Sequence, residues 1–167
     1  MFSLKPQENH TCCSVQTKGK SPCPCCHIEA KGVLVKTLVS LVQEKTKESL
    51  SSLEGYHFCK TPSCSVVYFK DESILTQEDI KVTVGCKEEA SPATVCYCFD
   101  WTKEKIQAQL KERGNCTALE DIKEKMKNLG CSCEILNPSG GCCLGDVGKT
   151  IDYLSDLTHA NTHSHLP

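Results

Sequence analysis

The sequence predicts an α+β chain of two small units in series, a β-rich unit with one helix and then an all-α unit. Three observations predict this. Hydrophobic residues make up 39% and aromatics 5% of 167 residues, so a single large core is not expected; an average globular domain is roughly 45–50% apolar. Cysteine is abundant, at 15 residues, and small units short of apolar surface are held by bridges or metals. The third observation is a change of period. Short β-branched and aromatic runs dominate before Gly85, and apolar residues at helical spacing dominate after Thr102.

Residues 1–22 are polar and rich in Ser, Lys and Pro, which predicts a mobile tail carrying Cys12-Cys13. The first unit is expected over 23–85. Within it, Leu38, Leu41 and Val42 followed by Lys45 and Lys47 predict an amphipathic helix in the stretch Thr37–Leu53. Tyr56–Cys59 and Ser65–Lys70 read as strands turned by Thr61-Pro62-Ser63, and Lys81–Val84 reads as a further short strand closed by Gly85. Residues 86–94 read as a polar linker.

The second unit is expected over 95–158. Thr102–Arg113 places Ile106 and Leu110 on one face and stops at Gly114. Thr117 with Glu120 spells a capping box, and the helix it opens carries Leu119, Ile122, Met126 and Leu129 before Gly130. A third helix follows Gly145 with Val147, Ile151 and Leu154 inward. Residues 159–167 form a tail with His159, His163 and His165.

Charge and hydropathy exclude several classes. Lys+Arg number 19 against 21 Asp+Glu, Arg113 is the single arginine, and no basic block is long enough to track phosphates, so nucleic acid is not an expected partner. The first ten residues hold no apolar run and no 18-residue apolar stretch occurs, so neither a secretory signal nor membrane insertion is expected. The expected location is cytoplasmic. Disulfides are scarce there, and closely spaced cysteines read as metal ligands.

The first cysteine constellation is Cys23-x-x-Cys26, then Cys59-x4-Cys64. Two thiolates on a knuckle and two on a hairpin can converge tetrahedrally on Zn2+. Cys25 and His27 can each substitute for Cys26, and the alternative is a set of reduced, buried thiols. Four protein ligands leave no position for water, so zinc here is expected to be structural. The second constellation is Cys96 and Cys98, then Cys131, Cys133, Cys142 and Cys143. Two pairs of thiolates brought together by helices suit an iron–sulfur cluster. Helix N-termini near Thr102 and Asp146, with the Asn137–Gly141 loop as an anion-binding nest, are expected to supply N–H groups. Spacing leaves open which of Cys131/Cys133 and Cys142/Cys143 are ligands, and leaves a second zinc as the alternative.

Cys96-Tyr97-Cys98 before a helix, then Cys133-x-x-x-Asn137-Pro138-Ser139-Gly140-x-Cys142-Cys143, resembles the N-terminal zinc and 2Fe–2S domain of CopZ-type copper chaperones. Its cluster half is similar to the bacterioferritin-associated ferredoxin (BFD-like) fold. The first half resembles that domain too, through Cys23-Pro24-x-Cys26 and Phe58-Cys59-x4-Cys64-x-Val66-Val67-Tyr68-Phe69, so the resemblance spans roughly 23–150. It implies Cys96, Cys98, Cys133 and Cys143 on a 2Fe–2S cluster, and Cys23, Cys26, Cys59 and Cys64 on zinc. Relatives continue into a copper-carrying domain with an M-x-C-x-x-C loop. No such motif follows Thr150, so direct handover of Cu+ is not expected of this chain alone.

What the resemblance then implies is soft-metal handling: binding copper and reducing Cu(II) to Cu(I) for a separate copper chaperone or transporter domain, with an electron donor as a further partner. Spare thiols suit a soft ion. Cys12, Cys13, Cys25, Cys131 and Cys142 are the candidates, while Cys86 and Cys116 stay unassigned. The competing readings are a one-electron ferredoxin-like protein docking to a protein partner, and capture of another thiophilic ion such as mercury. No Ser/His/Asp grouping or phosphate loop occurs, and an enzyme is not expected.

Overall fold

In the computed structural model, which describes residues 19–162, the first unit is a five-stranded antiparallel meander in the order β1 to β5. Its strands are β1 (Lys20–Pro22), β2 (Glu29–Gly32), β3 (His57–Phe58), β4 (Val66–Lys70) and β5 (Ser73–Thr76). Because β1/β2, β2/β3 and β3/β4 all pair antiparallel, the β1–β2 turn and the β3–β4 turn fall at the same end of the sheet. Both cysteine pairs of the first constellation sit in those turns. Meander topology alone thus brings together residues separated by 41 positions, Cys23 and Cys64.

Helices α1 (Val35–Leu41) and α2 (Glu44–Ser49) cross from β2 to β3 and cover a core of Leu38, Leu41, Val42, Tyr56, Val67, Tyr68, Leu75 and Ile80. The single helix expected in Thr37–Leu53 is therefore two. Val42 breaks it, because its fully buried backbone turns extended and bridges Ile80, with Lys81 N–H donating to the Leu41 carbonyl at 2.7 Å. Lys81–Val84 is correspondingly not a strand. The Gln77 side chain takes its polar groups, donating to the Val82 carbonyl and accepting the Val84 N–H, each at 2.8 Å.

The second unit is mainly helical, with α3 (Lys103–Arg113), α4 (Ala118–Leu129), α5 (Cys133–Leu136) and α6 (Leu144–Thr162). It also contains a two-stranded pair, β6 (Thr94–Cys96) and β7 (Trp101–Thr102), and so is not all-α. Ile106, Leu110, Ala118, Ile122, Val147 and Leu154 form its core around Cys96, Cys133 and Cys143. Gly114 ends α3 in the left-handed region at φ 74°, as its sequence position predicts. The Thr117 capping box does not form; Thr117 turns its N–H and hydroxyl to the Gln109 side chain instead. Leu129, at helical spacing with Ile122 and Met126, is nevertheless 77% exposed at the last turn of α4.

The two units touch along α1 and α5. Thr37 and Ser40 hydroxyls donate to the Glu134 and Ile135 carbonyls at 2.6 and 2.7 Å, and the buried Tyr68 hydroxyl donates to the Pro138 carbonyl at 2.5 Å. Lys36 pairs with Glu134, and Lys60 with Asp146. Residues 86–94 are tied to both units, Glu88 N–H donating to the Pro62 carbonyl at 3.1 Å and Lys103 N–H to the Ala93 carbonyl at 2.9 Å, and the ends of the segment are bridged by Tyr97 OH, which accepts the Gly85 N–H and donates to the Thr83 carbonyl, both at 2.8 Å. A Cβ on Gly85 would lie 1.9 Å from the Thr94 carbonyl oxygen. Gly85→Ala should therefore cost about 3 kcal/mol through forced overpacking, measured by chemical denaturation. An unchanged midpoint would show that this close approach is not required.

Candidate metal centres

The β1–β2 turn is a knuckle: His27 N–H donates to the Cys23 carbonyl at 2.9 Å, and His27 takes φ 61° to close it. The β3–β4 turn presents Cys59 and Cys64 opposite. The four sulfurs of Cys23, Cys26, Cys59 and Cys64 lie within 4.8 Å of one another. Cys23 to Cys64 is 3.9 Å and Cys26 to Cys59 is 3.7 Å. A tetrahedral ion with Zn–S bonds near 2.3 Å requires sulfur separations of about 3.8 Å, so the donor set fits zinc. Three of the four are buried and Cys26 is half-buried.

Backbone amides point at these sulfurs. Cys26 accepts from Ile28 N–H, Cys59 from Thr61 N–H and Cys64 from Val66 N–H, the donor standing two residues after the sulfur each time. Thr61 adds its hydroxyl, 3.2 Å from the Cys26 sulfur. That hydroxyl and the Ile28 amide bring the Cys26 thiol down to about 6. Burial pushes Cys59 up, and pushes Cys64 up to about 12. The site therefore holds one ready thiolate, Cys26, and in Cys59 and Cys64 two thiols that burial keeps from ionising without a cation.

The second constellation gathers from three elements. Cys96 and Cys98 flank the β6–β7 turn, Cys133 opens α5, and Cys143 precedes α6. Cys98 and Cys133 sulfurs are 3.5 Å apart, and the Cys143 thiol bonds both Cys133 and Cys96. The bond from Cys143 holds Cys133 down at about 5 and lowers Cys96, while burial pushes Cys98 up to about 12. Amides of Phe99, Ser132 and Cys143 donate to the sulfurs of Cys96, Cys98 and Cys133. The expected nest does not supply them. Ser139, Gly140 and Gly141 N–H groups are consumed inside the loop by Asn137 and Ser139.

The spare thiols divide. Cys25 is exposed, with a side-chain bond to Cys64, and Cys131 has one to Cys133. Cys142 is half-buried, and the charges of Cys131 and Cys133 raise it further after burial. Cys86 packs against the first core and Cys116 against the second. Cys12, Cys13, His163 and His165 lie outside the described residues. Trp101 packs in the second unit and donates its Nε1–H to Asp121 at 2.8 Å. Sequence reasoning missed Thr61 and Lys87. A Thr two residues after a ligand cysteine is a signal that could have been read, whereas Lys87 had none.

Comparison with known proteins agrees with this geometry. Residues 20–81 match the zf_CopZ family, described as "Zinc binding domain". The chain is 37% identical over 123 residues to the "Copper chaperone CopZ" of Archaeoglobus fulgidus, across 72% of this chain and 57% of that protein. It thus spans little more than half the length of that curated relative. The X-ray structure of the Archaeoglobus fulgidus CopZ N-terminal domain superposes with a TM-score of 0.64 at 29% identity, covering 77% of this chain and 96% of that one. Residues 20–81 are accordingly similar to a CopZ-type zinc-binding domain.

Metal must displace protons from these thiols, so acidification should release it and uptake should acidify an unbuffered solution. Cys26, at about 6, is already mostly thiolate at pH 7. Thr61→Val should raise its pKa, add up to about one proton to the release at pH 7, and weaken zinc roughly tenfold. Chelator competition and proton counting check both. Equal values in the two proteins would remove Thr61 from the site.

Proposed function

We propose that this chain handles a soft metal ion, and that the ion is copper. The observation that supports the reading most is the four-sulfur set Cys23, Cys26, Cys59 and Cys64 inside a segment 37% identical to a copper chaperone. In this reading zinc occupies that set and is structural. A 2Fe–2S cluster takes Cys96, Cys98, Cys133 and Cys143, the four cysteine sulfurs that such a cluster needs, gathered from separate elements of the second unit. When bound, such a cluster supplies a one-electron couple.

This chain's own residues bind and shield. Buried Cys96, Cys133 and Cys143 keep water away, and the Phe99, Ser132 and Cys143 amides compensate negative charge on sulfur. Cys25, Cys131 and Cys142 lie beside the two sets and offer soft donors for Cu+ as cargo. Copper arriving as Cu(II) is reduced to Cu(I) with one electron that a separate donor supplies. A copper chaperone or transporter domain then receives it in the cytoplasm. Among the described residues no helix is long and apolar enough to cross a membrane. The reading is binding and transfer, not enzymatic turnover.

Anaerobic competition with a chromophoric Cu(I) chelator tests it. The full chain should take up Cu(I) without losing zinc, and a Cys25→Ser/Cys131→Ser/Cys142→Ser variant should take up less. No uptake, or uptake matched by zinc loss, would contradict the proposal. Cys98→Ser should abolish visible absorbance and iron while zinc stays bound. Retention of full absorbance would show that Cys98 is not a cluster ligand.

A further inference from the structure

Lys87 lies six residues beyond the segment matched to the zinc-binding family, in the stretch that reads from sequence as a linker. Its ammonium donates to three backbone carbonyls: Cys59 at 2.9 Å, Thr61 at 3.0 Å and Val66 at 2.7 Å. An ammonium has three N–H donors, and all are used. The three acceptors are the entry, middle and exit of the 59–66 loop. Glu88 N–H adds a fourth tie, to the Pro62 carbonyl at 3.1 Å.

That loop supplies Cys59 and Cys64, half of the four-sulfur set, and the Thr61 hydroxyl on Cys26. The loop's own tie is the Cys64 N–H to the Thr61 carbonyl at 3.2 Å, and the ammonium adds bonds at its entry and exit, Cys59 and Val66. A half-buried lysine normally keeps its rotamer entropy by leaving its head in water; here the head is spent on three acceptors of one loop. Zn2+ with four thiolates also carries net negative charge, and a cation in contact with the ligand loop offsets part of it.

We propose that Lys87 is a positioning residue for the metal centre, its ammonium holding the 59–66 loop in the form that presents Cys59 and Cys64. The inference rests on the four-sulfur set being a metal site. Metal affinity of a site built from residues 23–64 then depends on a residue in the segment leading to the second unit.

The test uses the full chain with Lys87→Met, Lys87→Gln and Lys87→Arg, loaded with zinc, and with Co2+ as a spectroscopic probe. Zinc affinity should fall about tenfold in Lys87→Met, the usual scale for losing a group that orients a ligand, and Lys87→Arg should restore most of it. The cobalt ligand-field bands should shift in Lys87→Met and return in Lys87→Arg. A role in general stability alone would lower the melting temperature with affinity and bands unmoved, and that result overturns the inference. If Lys87→Met does not fold, Lys87→Gln and Lys87→Arg decide: weaker zinc in Lys87→Gln supports it, and equal affinity overturns it. A wild-type chain that takes up neither zinc nor cobalt overturns the metal reading itself. Normal loading of wild type and unmoved variants overturns only the role of Lys87.

Discussion

Sulfurs 3.7 to 3.9 Å apart cannot all ionise unless a cation sits between them, and the first unit is arranged around that condition. Its sheet is short, with strands of two to five residues, and its apolar core fills only the side under α1 and α2. The other side is a cluster of Cys23, Ala30, Cys59, Cys64, Val66 and Phe69, in which sulfur replaces the aliphatic bulk a larger domain would use. A metal there joins two turns far apart in sequence, and its binding energy is largely folding energy. The Thr61 hydroxyl and the Ile28 amide lower Cys26, while burial raises Cys59 and Cys64 against the pull of the Thr61 and Val66 amides and, at Cys59, of the Lys87 charge.

The second unit depends on the same economy of apolar groups. Its core is a ring of single residues from α3, α4 and α6 around three buried cysteines. The two units are coupled through hydrogen bonds at α1 and α5, through Tyr68 on Pro138, and through Lys60 on Asp146. The last pair is informative. Lys60 follows one ligand of the first set, and Asp146 stands three residues after Cys143 of the second.

Much of this was legible in the sequence. Cysteine spacing marks both constellations, Gly114 and Gly130 mark helix ends, and the β-branched and aromatic run 66–69 marks strand β4. What was not legible is contextual. Lys20–Pro22 and Glu29–Gly32 are polar, and become strands only because the knuckle between them pairs them with each other and β2 with β3. Val42 has a helical neighbourhood and turns extended because Ile80 offers a bridge. Thr117 has capping-box spacing and loses it to Gln109, a competing acceptor eight residues earlier. Lys87 looks like one more solvated lysine until the loop it holds is in place. Each miss is a long-range partner overriding a local preference.

The most direct measurement is the metal and acid-labile sulfide content of the full chain purified without oxygen. The account predicts about one zinc, two irons and two sulfides per chain. Zinc without iron or sulfide would contradict the cluster at Cys96, Cys98, Cys133 and Cys143 and every redox statement attached to it. A chain that folds with no zinc at all would contradict the central claim, that four converging thiolates and the ion between them hold the first unit together.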